Sequence, residues 1–202
     1  MAKRTFDLVA SAMGLLLLSP LFALIALWVK LDSSGPVFHR GQRVGRKFRV
    51  FEILKFRTMV ADAPSRGGPI TIGDDPRITR AGRLLRRTKL DELPQLINVL
   101  LGDMSLVGPR PEARCFVAMF RQDYDTILQV RPGITDLASL KYRNEAAILA
   151  QAENPEQEYV ARVLPEKIRF AKQYVAGRSL RFDLMIIART VLQLLGDCLR
   201  RK

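Results

Sequence analysis

The 202-residue sequence predicts an α+β protein that is mainly helical, with an N-terminal membrane helix and a compact polar domain. Residues 8–29 contain no charged side chain, which is typical of a membrane segment. Two short extended runs within 37–59 predict a β-hairpin, and most of the remaining chain carries apolar residues at helical spacing. The expected division is therefore a membrane segment over 1–34 and a polar domain over 35–202.

The uncharged run is long enough to cross about 30 Å of hydrocarbon as a straight helix. Ser19 and Pro20 interrupt it near its middle, where proline removes a backbone hydrogen bond and bends a helix. Basic residues flank both ends, and positive charge favours the cytoplasmic side of a membrane. We therefore expect a re-entrant helix broken at Ser19 and Pro20, with the Ser19 hydroxyl bonding a freed backbone group. A straight span is the alternative.

The hairpin is expected between residues 37–44 and 48–59, with its turn at Gly45. Because side chains alternate along a strand, Lys55 and Arg57 share one face of the second run. In one interpretation these cations are directed into a phosphate-binding site. In the other they mark a solvated strand edge whose charge resists aggregation.

Residues 60–78 are rich in glycine and proline and predict a long mobile loop or a linker. Arginine then recurs at three-residue spacing, which predicts a helix with one basic face, capped by Thr79. These arginines are Arg77, Arg80, Arg83, Arg86 and Arg87. Such a face is usually solvated or laid on anionic lipid. Only its final turn lies close in sequence to the adjacent carboxylates that follow.

Those carboxylates, Asp91 and Glu92, precede an apolar helical run and admit two interpretations. In the first, Thr88 caps a helix and Asp91 completes a capping box, although Pro94 would then interrupt that helix. In the second, the helix begins near Asp91, where its N-terminus favours an ionised carboxylate suited to nucleophilic attack. Glu92 points about 100° away around the helix axis and is placed to hold a divalent metal beside it.

Arg110 lies between two prolines, Pro109 and Pro111, which restrict the backbone on both sides. A guanidinium on a rigid turn suits bidentate phosphate recognition, and a plain surface turn is the alternative. Helices interrupted near Pro155 and Pro165 are expected over 145–175. The final segment predicts an amphipathic helix that lies on the membrane or packs in the core.

The formal charge of +13 favours a polyanionic partner: nucleic acid, an anionic membrane surface or a phosphorylated substrate. No helix-turn-helix, zinc or aromatic RNA-binding signature is present, and the paired carboxylates would repel a nucleic-acid backbone. Nucleic acid is therefore not expected as a partner. A non-catalytic scaffold on anionic lipid remains an alternative to an enzyme.

Short motifs spread over nearly the whole chain resemble those of the small monotopic phosphoglycosyl transferases, bacterial sugar transferases that begin glycan assembly on polyprenyl phosphate. The motifs are Ser19-Pro20, Pro36-Val37-Phe38, Arg43-Val44-Gly45, Lys55-Phe56-Arg57-Thr58-Met59, Leu90-Asp91-Glu92-Leu93-Pro94-Gln95, Asn98-Val99-Leu100, Gly102-Asp103-Met104-Ser105, Gly108-Pro109-Arg110-Pro111 and Arg131-Pro132-Gly133-Ile134-Thr135. Each motif is weak alone, but their shared order is specific.

The resemblance implies that Asp91 attacks the phosphate next to the sugar of a UDP-sugar, releasing UMP and forming an aspartyl phosphosugar. Polyprenyl (undecaprenyl) phosphate would then accept the phosphosugar, and Glu92 would bind Mg²⁺. Candidate phosphate and nucleotide contacts are Lys55, Arg57, Arg86, Arg110, Pro111 and Arg143. The implied location is the cytoplasmic face of the bacterial inner membrane, in contact with membrane lipids, with 35–202 as the catalytic domain.

The sequence departs from the family pattern after Thr135, where Asp136 and the residues up to Arg143 replace a glycine, a later glutamine and Gly-Arg. The identity of the sugar and part of the nucleotide pocket therefore stay open. The glycan pathway stays open as well, with exopolysaccharide, O-antigen and glycoprotein assembly as the alternatives. A homodimer is one of the oligomeric states considered.

Overall fold

The computed structural model describes residues 2–66, 71, 75–143 and 145–199, and within them the chain is mainly helical with two small sheets. The helices are α1 (Ala2–Asp32), α2 (Ala63–Arg66), α3 (Arg80–Thr88), α4 (Gln95–Leu101), α5 (Arg114–Met119), α6 (Arg121–Ile127), α7 (Leu137–Lys141), α8 (Glu145–Leu149), α9 (Pro155–Glu158), α10 (Leu164–Gly177) and α11 (Leu180–Leu199). The strands are β1 (Phe38–Val44), β2 (Val50–Phe56), β3 (Ser105–Val107) and β4 (Gly133–Thr135). The mainly helical α+β class and the antiparallel β1–β2 hairpin are confirmed.

The helix α1 is continuous through Pro20, so the break expected at Ser19 and Pro20 does not end the helix. Proline has no N–H to donate to the carbonyl four residues earlier, which is that of Leu16. The Ser19 hydroxyl donates to the Leu16 carbonyl at 2.8 Å and replaces the missing bond. The predicted break is therefore a local interruption of the backbone hydrogen bonds, repaired by the neighbouring side chain.

The N-terminal end of α1 is attached to the polar domain by charged side chains. Lys3 forms an ion pair of 2.6 Å with Asp183 on α11. Asp7 is 2% exposed and accepts hydrogen bonds from the Ser105 hydroxyl and from the backbone N–H of Leu106. These pairings satisfy charges that would be costly to bury alone. They fix α1 next to the strand β3.

The C-terminal end of α1 is held by Arg57, which is 5% exposed. Its guanidinium donates to the carbonyls of Ser33 at 2.8 Å and Val29 at 3.2 Å, and also to that of Ser34. The last carbonyls of a helix lack partners within the helix, so Arg57 acts as its C-terminal cap. Asp32 accepts the backbone N–H of Ala81 at 2.9 Å and joins the same end to α3.

The middle of α1 exposes large apolar side chains. Leu16, Leu17 and Leu24 are 75%, 73% and 66% exposed. The helix is long and apolar enough to cross a membrane, and only about a tenth of its most apolar window is buried inside the protein. The core helix of a soluble protein would be covered, so this surface suits contact with lipid.

The helix α3 is capped by Thr79, as the arginine spacing predicted, because the Gly82 N–H donates to the Thr79 hydroxyl at 3.0 Å. A Cβ at Gly82 would lie 2.0 Å from the carbonyl oxygen of Thr58. Only glycine therefore lets α3 approach the end of β2 this closely.

The segment 60–78 was expected to pack poorly, but it begins and ends in ordered contacts. The Val60 N–H donates to the Arg77 carbonyl, and Arg77 forms a buried ion pair of 2.6 Å with Asp75. The part of the segment next to α3 is therefore packed, and the mobility of the segment stays a prediction. Residues 67–70 and 72–74, also included in the predicted mobile loop, lie outside the described residues.

The parallel pair β3–β4 was not predicted, because both strands are three residues long and adjoin glycine-proline turns. Backbone hydrogen bonds continue past the strands, from Gly133 N–H to the Pro109 carbonyl and from Gly108 N–H to the Thr135 carbonyl. A Cβ at Gly133 would lie 2.0 Å from the nitrogen of Gly108. The two turns therefore pack backbone to backbone, which fixes the position of Arg110.

The C-terminal half forms a helical core in which Val163 and Leu164 are fully buried. Pro165 does not interrupt this region, because it lies in the first turn of α10, after a π-helical turn over Tyr159–Val163. The helix α11 packs in the core through the buried Ile186, whereas Leu192 on the outer side is 68% exposed. Contact of this outer side with the membrane stays a prediction.

We expect Gly133→Ala to lower the free energy of unfolding by about 2–4 kcal/mol, because the added methyl group must displace the backbone of Gly108. Denaturant unfolding of the purified protein in detergent measures the change. Gly196→Ala is the matched control: a Cβ at Gly196 has no described atom within 4 Å, so its effect should stay within about 1 kcal/mol. Equal stability of the two variants would contradict the close approach of the Gly133 and Gly108 backbones.

We also expect Arg57→Gln to destabilise the protein by about 2 kcal/mol or more, since three helix-end carbonyls lose a charged donor. The exposed Arg83→Gln on α3 removes the same charge from the protein surface and should change stability little. Thermal unfolding of both variants under one condition provides the comparison. An unfolding temperature of Arg57→Gln equal to that of the wild type would contradict the capping role of Arg57.

Candidate active site

Asp91 and Glu92 lie in a single 3-10 turn, Leu90–Glu92, between α3 and α4. The helix α3 ends at Thr88, whose hydroxyl donates back to the Leu84 carbonyl at 2.8 Å. Thr88 is therefore not an N-cap, and the capping-box interpretation is wrong. Pro94 directly precedes α4, so the next helix begins close to the carboxylates, although four residues after Asp91.

Glu92 is the centre of an ion cluster. Its Oε1 accepts from Lys55 Nζ at 2.7 Å and from Arg110 Nη2 at 2.5 Å, while Oε2 accepts from Arg110 Nη1 at 3.2 Å. These two cations hold the pKa of Glu92 well below its ordinary value, against the opposing effect of burial. Glu92 is therefore ionised, and its carboxylate is engaged by cations on both oxygens.

Asp91 differs from its neighbour. It is 6% exposed, and its Oδ1 is buried with no hydrogen-bond partner among the described residues. Burial raises its pKa above the ordinary value of 3.8, while the positive charges of Lys55 and Lys89 act against that rise. The helix N-terminus expected near Asp91 would favour the ionised form, but here burial has the larger effect on the pKa. The result is a carboxylate with an unused oxygen in a positively charged environment.

Arg86 provides a further cation near Asp91. Its Nε donates to the Thr58 hydroxyl at 2.8 Å, so the guanidinium is oriented by the close packing of α3 on Thr58. The positive charge of Arg86 also lowers the pKa of Asp91. Other basic side chains line the same cleft: His39, Arg40, Arg43, Arg80, Arg83, Arg87 and Lys89.

The cleft is open and has a volume of about 2210 Å³. Of the residues expected at the site, Lys55, Arg86, Arg110, Pro111 and Arg143 all line it together with the two carboxylates. Arg143 follows the end of α7. With Arg57, all six phosphate contacts expected from the sequence border this one cleft.

Arg57, the sixth, also borders the cleft, but its side chain is directed elsewhere. The strand β2 ends at Phe56, one residue before it, and the three hydrogen bonds of the guanidinium go to the end of α1. Arg57 connects the anchor helix to the site. The structure gives it no described contact with Lys55 or the carboxylates.

Sequence analysis missed the residues that position Arg110. The buried Asp136 accepts the backbone N–H of Arg110 at 3.2 Å and also caps α7 through the N–H of Ser139. On the other side of Pro111, Glu112 accepts from Lys167 at 3.2 Å. Asp136 is one of the residues that depart from the family pattern, and that departure was the available signal.

A divalent metal would find few protein ligands here. Among the described residues, no three histidine, cysteine, aspartate or glutamate side chains form a metal-binding group. Mg²⁺, however, is commonly held by one or two carboxylates together with substrate phosphates and water. The orphaned Oδ1 of Asp91 and the weakly engaged Oε2 of Glu92 are oxygens of the required type. The donor set therefore fits Mg²⁺ when phosphate oxygens complete the coordination.

Comparisons with known proteins identify the family of this chain. Residues 1–197 match the family model described as bacterial sugar transferase. The "Exopolysaccharide production protein ExoY" of Rhizobium meliloti is 37% identical, with 95% of this chain and 84% of the relative covered.

Two further relatives have names that state a reaction. The "UDP-N-acetylgalactosamine-undecaprenyl-phosphate N-acetylgalactosaminephosphotransferase" of Aeromonas hydrophila is 37% identical over 94% of this chain and 42% of the relative. The "UDP-glucose:undecaprenyl-phosphate glucose-1-phosphate transferase" of Escherichia coli is 38% identical over 94% and 39%. The chain thus spans about two fifths of these longer relatives. It belongs to the bacterial sugar transferase family.

Proposed function

We propose that this protein is a membrane-bound phosphoglycosyl transferase that moves a phosphosugar from a UDP-sugar to polyprenyl (undecaprenyl) phosphate, as the first membrane step of bacterial glycan assembly. The observation that carries the proposal is the buried Asp91, with an unpaired oxygen, beside Glu92, Lys55 and Arg110. The names of the relatives supply the substrate classes, a UDP-sugar and undecaprenyl phosphate.

In the first half-reaction, an ionised Asp91 oxygen attacks the β-phosphorus of the UDP-sugar. A bond forms between that oxygen and phosphorus, while the bond from phosphorus to the bridging oxygen breaks. The bridging oxygen keeps the electron pair and leaves as part of UMP. Attack by an anion on a phosphate is opposed by charge repulsion, and the positive charges of Lys55, Arg86 and Arg110 reduce that repulsion.

The second half-reaction transfers the phosphosugar to the lipid. An oxygen of polyprenyl phosphate attacks the phosphorus, and the Asp91 carboxylate leaves with the electron pair of its bond. This regenerates the free enzyme and yields a polyprenyl diphosphate sugar. The cleft volume of about 2210 Å³ exceeds that of typical small-ligand pockets, so both phosphorylated head groups have room.

When bound, Mg²⁺ would neutralise charge on the phosphate oxygens. Glu92 is the protein residue proposed to hold it, and Asp91 stays available for attack. The remaining basic side chains of the cleft orient the diphosphate, because phosphoryl transfer depends mainly on positioning and charge neutralisation.

We further propose that α1 is a re-entrant anchor and that the catalytic domain, residues 35–202, lies on the cytoplasmic face of the bacterial inner membrane. Lys3 and Asp7 at one end and Asp32 at the other contact the same polar domain, although a straight helix of 31 residues is about 46 Å long. A perpendicular span would carry one end to the opposite face of the membrane. The exposed apolar side chains of α1 and α11 are proposed to contact lipid.

Asp91→Asn is expected to lower UMP release from the preferred UDP-sugar at least about 1000-fold, since the amide cannot replace the nucleophile. A panel of UDP-sugars, assayed with polyprenyl phosphate in detergent, identifies the donor and measures the loss. Mass spectrometry of the wild type, trapped with donor alone, should locate the phosphosugar on Asp91.

Asp125→Asn provides the matched control, because Asp125 is an exposed residue of α6 that pairs with Arg121 outside the cleft. It should retain wild-type turnover. Full turnover by Asp91→Asn, or an adduct on another residue, would remove Asp91 as the nucleophile.

The topology is tested with single cysteines at three places. Cys115, which is exposed, reports the side of the polar domain in a Cys198→Ser background. Ala2→Cys and Ser34→Cys, each in a Cys115→Ser, Cys198→Ser background, report the two ends of α1. A membrane-impermeant thiol reagent should label all three from the same side of sealed membrane vesicles. Labelling of position 2 only from the opposite side would establish a straight span.

A further inference from the structure

The cations expected to bind phosphate are already occupied in this structure. Lys55 and both terminal nitrogens of Arg110 donate to the carboxylate of Glu92. A phosphate oxygen that enters the cleft would need these same N–H groups, because a guanidinium or ammonium has few donors directed to one point. Glu92 and a substrate phosphate are therefore competitors for one pair of cations.

The exposure of the three side chains makes an exchange of partners feasible. Lys55 and Arg110 are 23% and 30% exposed toward the cleft, whereas Glu92 is 12% exposed. An incoming anion reaches the cations first. Loss of both cations would leave Glu92 as a nearly buried, uncompensated charge, which is strongly unfavourable. Another cation must replace them.

We propose that Glu92 is an internal substitute for phosphate, and that the diphosphate of the donor and a divalent cation bind together by exchanging partners with it. Lys55 and Arg110 transfer from Glu92 to the diphosphate, and Glu92 transfers from those cations to the metal. This inference deepens the proposed function and rests on it. It adds a coupling between the diphosphate and the divalent cation, because neither ligand can form all of its contacts with the protein unless the other is bound.

The coupling follows from the charges. When diphosphate binds alone, Glu92 repels it and keeps Lys55 and Arg110 as its own partners. When the metal ion binds alone, Lys55 and Arg110 repel it and keep the Glu92 carboxylate that the ion needs. The strong depression of the Glu92 pKa agrees with a carboxylate that is tightly held by cations in the free protein. By linkage, the factor by which metal raises diphosphate affinity equals the factor by which diphosphate raises metal affinity.

The test is binding of UDP to the full-length protein in detergent, measured by calorimetry in EDTA and again in excess Mg²⁺. UDP is chosen because it carries the diphosphate but no sugar to transfer. In EDTA, Glu92→Gln should bind UDP at least about tenfold more tightly than the wild type, because the neutral amide releases two cations. A variant that merely lost a metal ligand would show no such gain.

Asp91→Asn is the matched control, since it removes one negative charge from the adjacent position without releasing Lys55 or Arg110 from Glu92. Its gain in UDP affinity in EDTA should be clearly smaller than that of Glu92→Gln. This difference separates an exchange of partners from a general change of charge. Mg²⁺ also binds UDP in water, so enhancement in the wild type alone proves nothing. The Mg²⁺ enhancement should persist in Glu156→Gln, a variant of an exposed residue at the start of α9, and fall in Glu92→Gln.

Two results would overturn the inference: a gain in Glu92→Gln no larger than in Asp91→Asn, or an unchanged Mg²⁺ enhancement in Glu92→Gln. Either result leaves the transferase proposal standing if the wild type still releases UMP. If the wild type neither binds UDP nor releases UMP from any donor, the proposed function fails instead. The two failures are therefore distinguishable.

Discussion

The ion cluster of Glu92 with Lys55 and Arg110 is the interaction on which the rest of the site depends. It draws together the hairpin, the turn before α4 and the proline-flanked turn after β3, three segments far apart in the sequence. Because both cations are committed to Glu92, the neighbouring Asp91 keeps an oxygen without a partner. Two adjacent carboxylates thereby acquire different roles from their surroundings, one as an organiser of charge and the other as the proposed nucleophile.

Backbone contacts that only glycine permits hold this cluster in place. Gly82 allows α3 to rest on Thr58 and thereby orients Arg86, while Gly133 allows its turn to rest on Gly108 and thereby positions Arg110. Such contacts are stiffer than side-chain packing, because backbone atoms cannot change rotamer to relieve a clash. The positions of the proposed phosphate-binding cations are therefore determined mainly by main-chain geometry, and their long side chains extend from these positions into the cleft.

Local patterns predicted most of the framework. The hairpin, the Thr79-capped basic helix and the long apolar helix follow from alternation, capping and hydrophobic length, which are properties of neighbouring residues. The pairing of β3 with β4 and the support of Arg110 by Asp136 could not be predicted, because both join residues more than 25 positions apart. Arg57 shows the limit most clearly: its motif and strand face suggested phosphate, but the strand ends one residue earlier and directs it to the end of α1.

The attachment of α1 has a consequence for any attempt to obtain this enzyme without its membrane segment. Deleting residues 1–34 would remove more than a hydrophobic tether. Asp183 would lose its ammonium partner and the Ser105 hydroxyl would lose its acceptor. The guanidinium of Arg57 would lose the three carbonyls to which it donates, so charges now satisfied would be left inside the domain. Removing the apolar helix to gain solubility would therefore disturb the domain that carries the site.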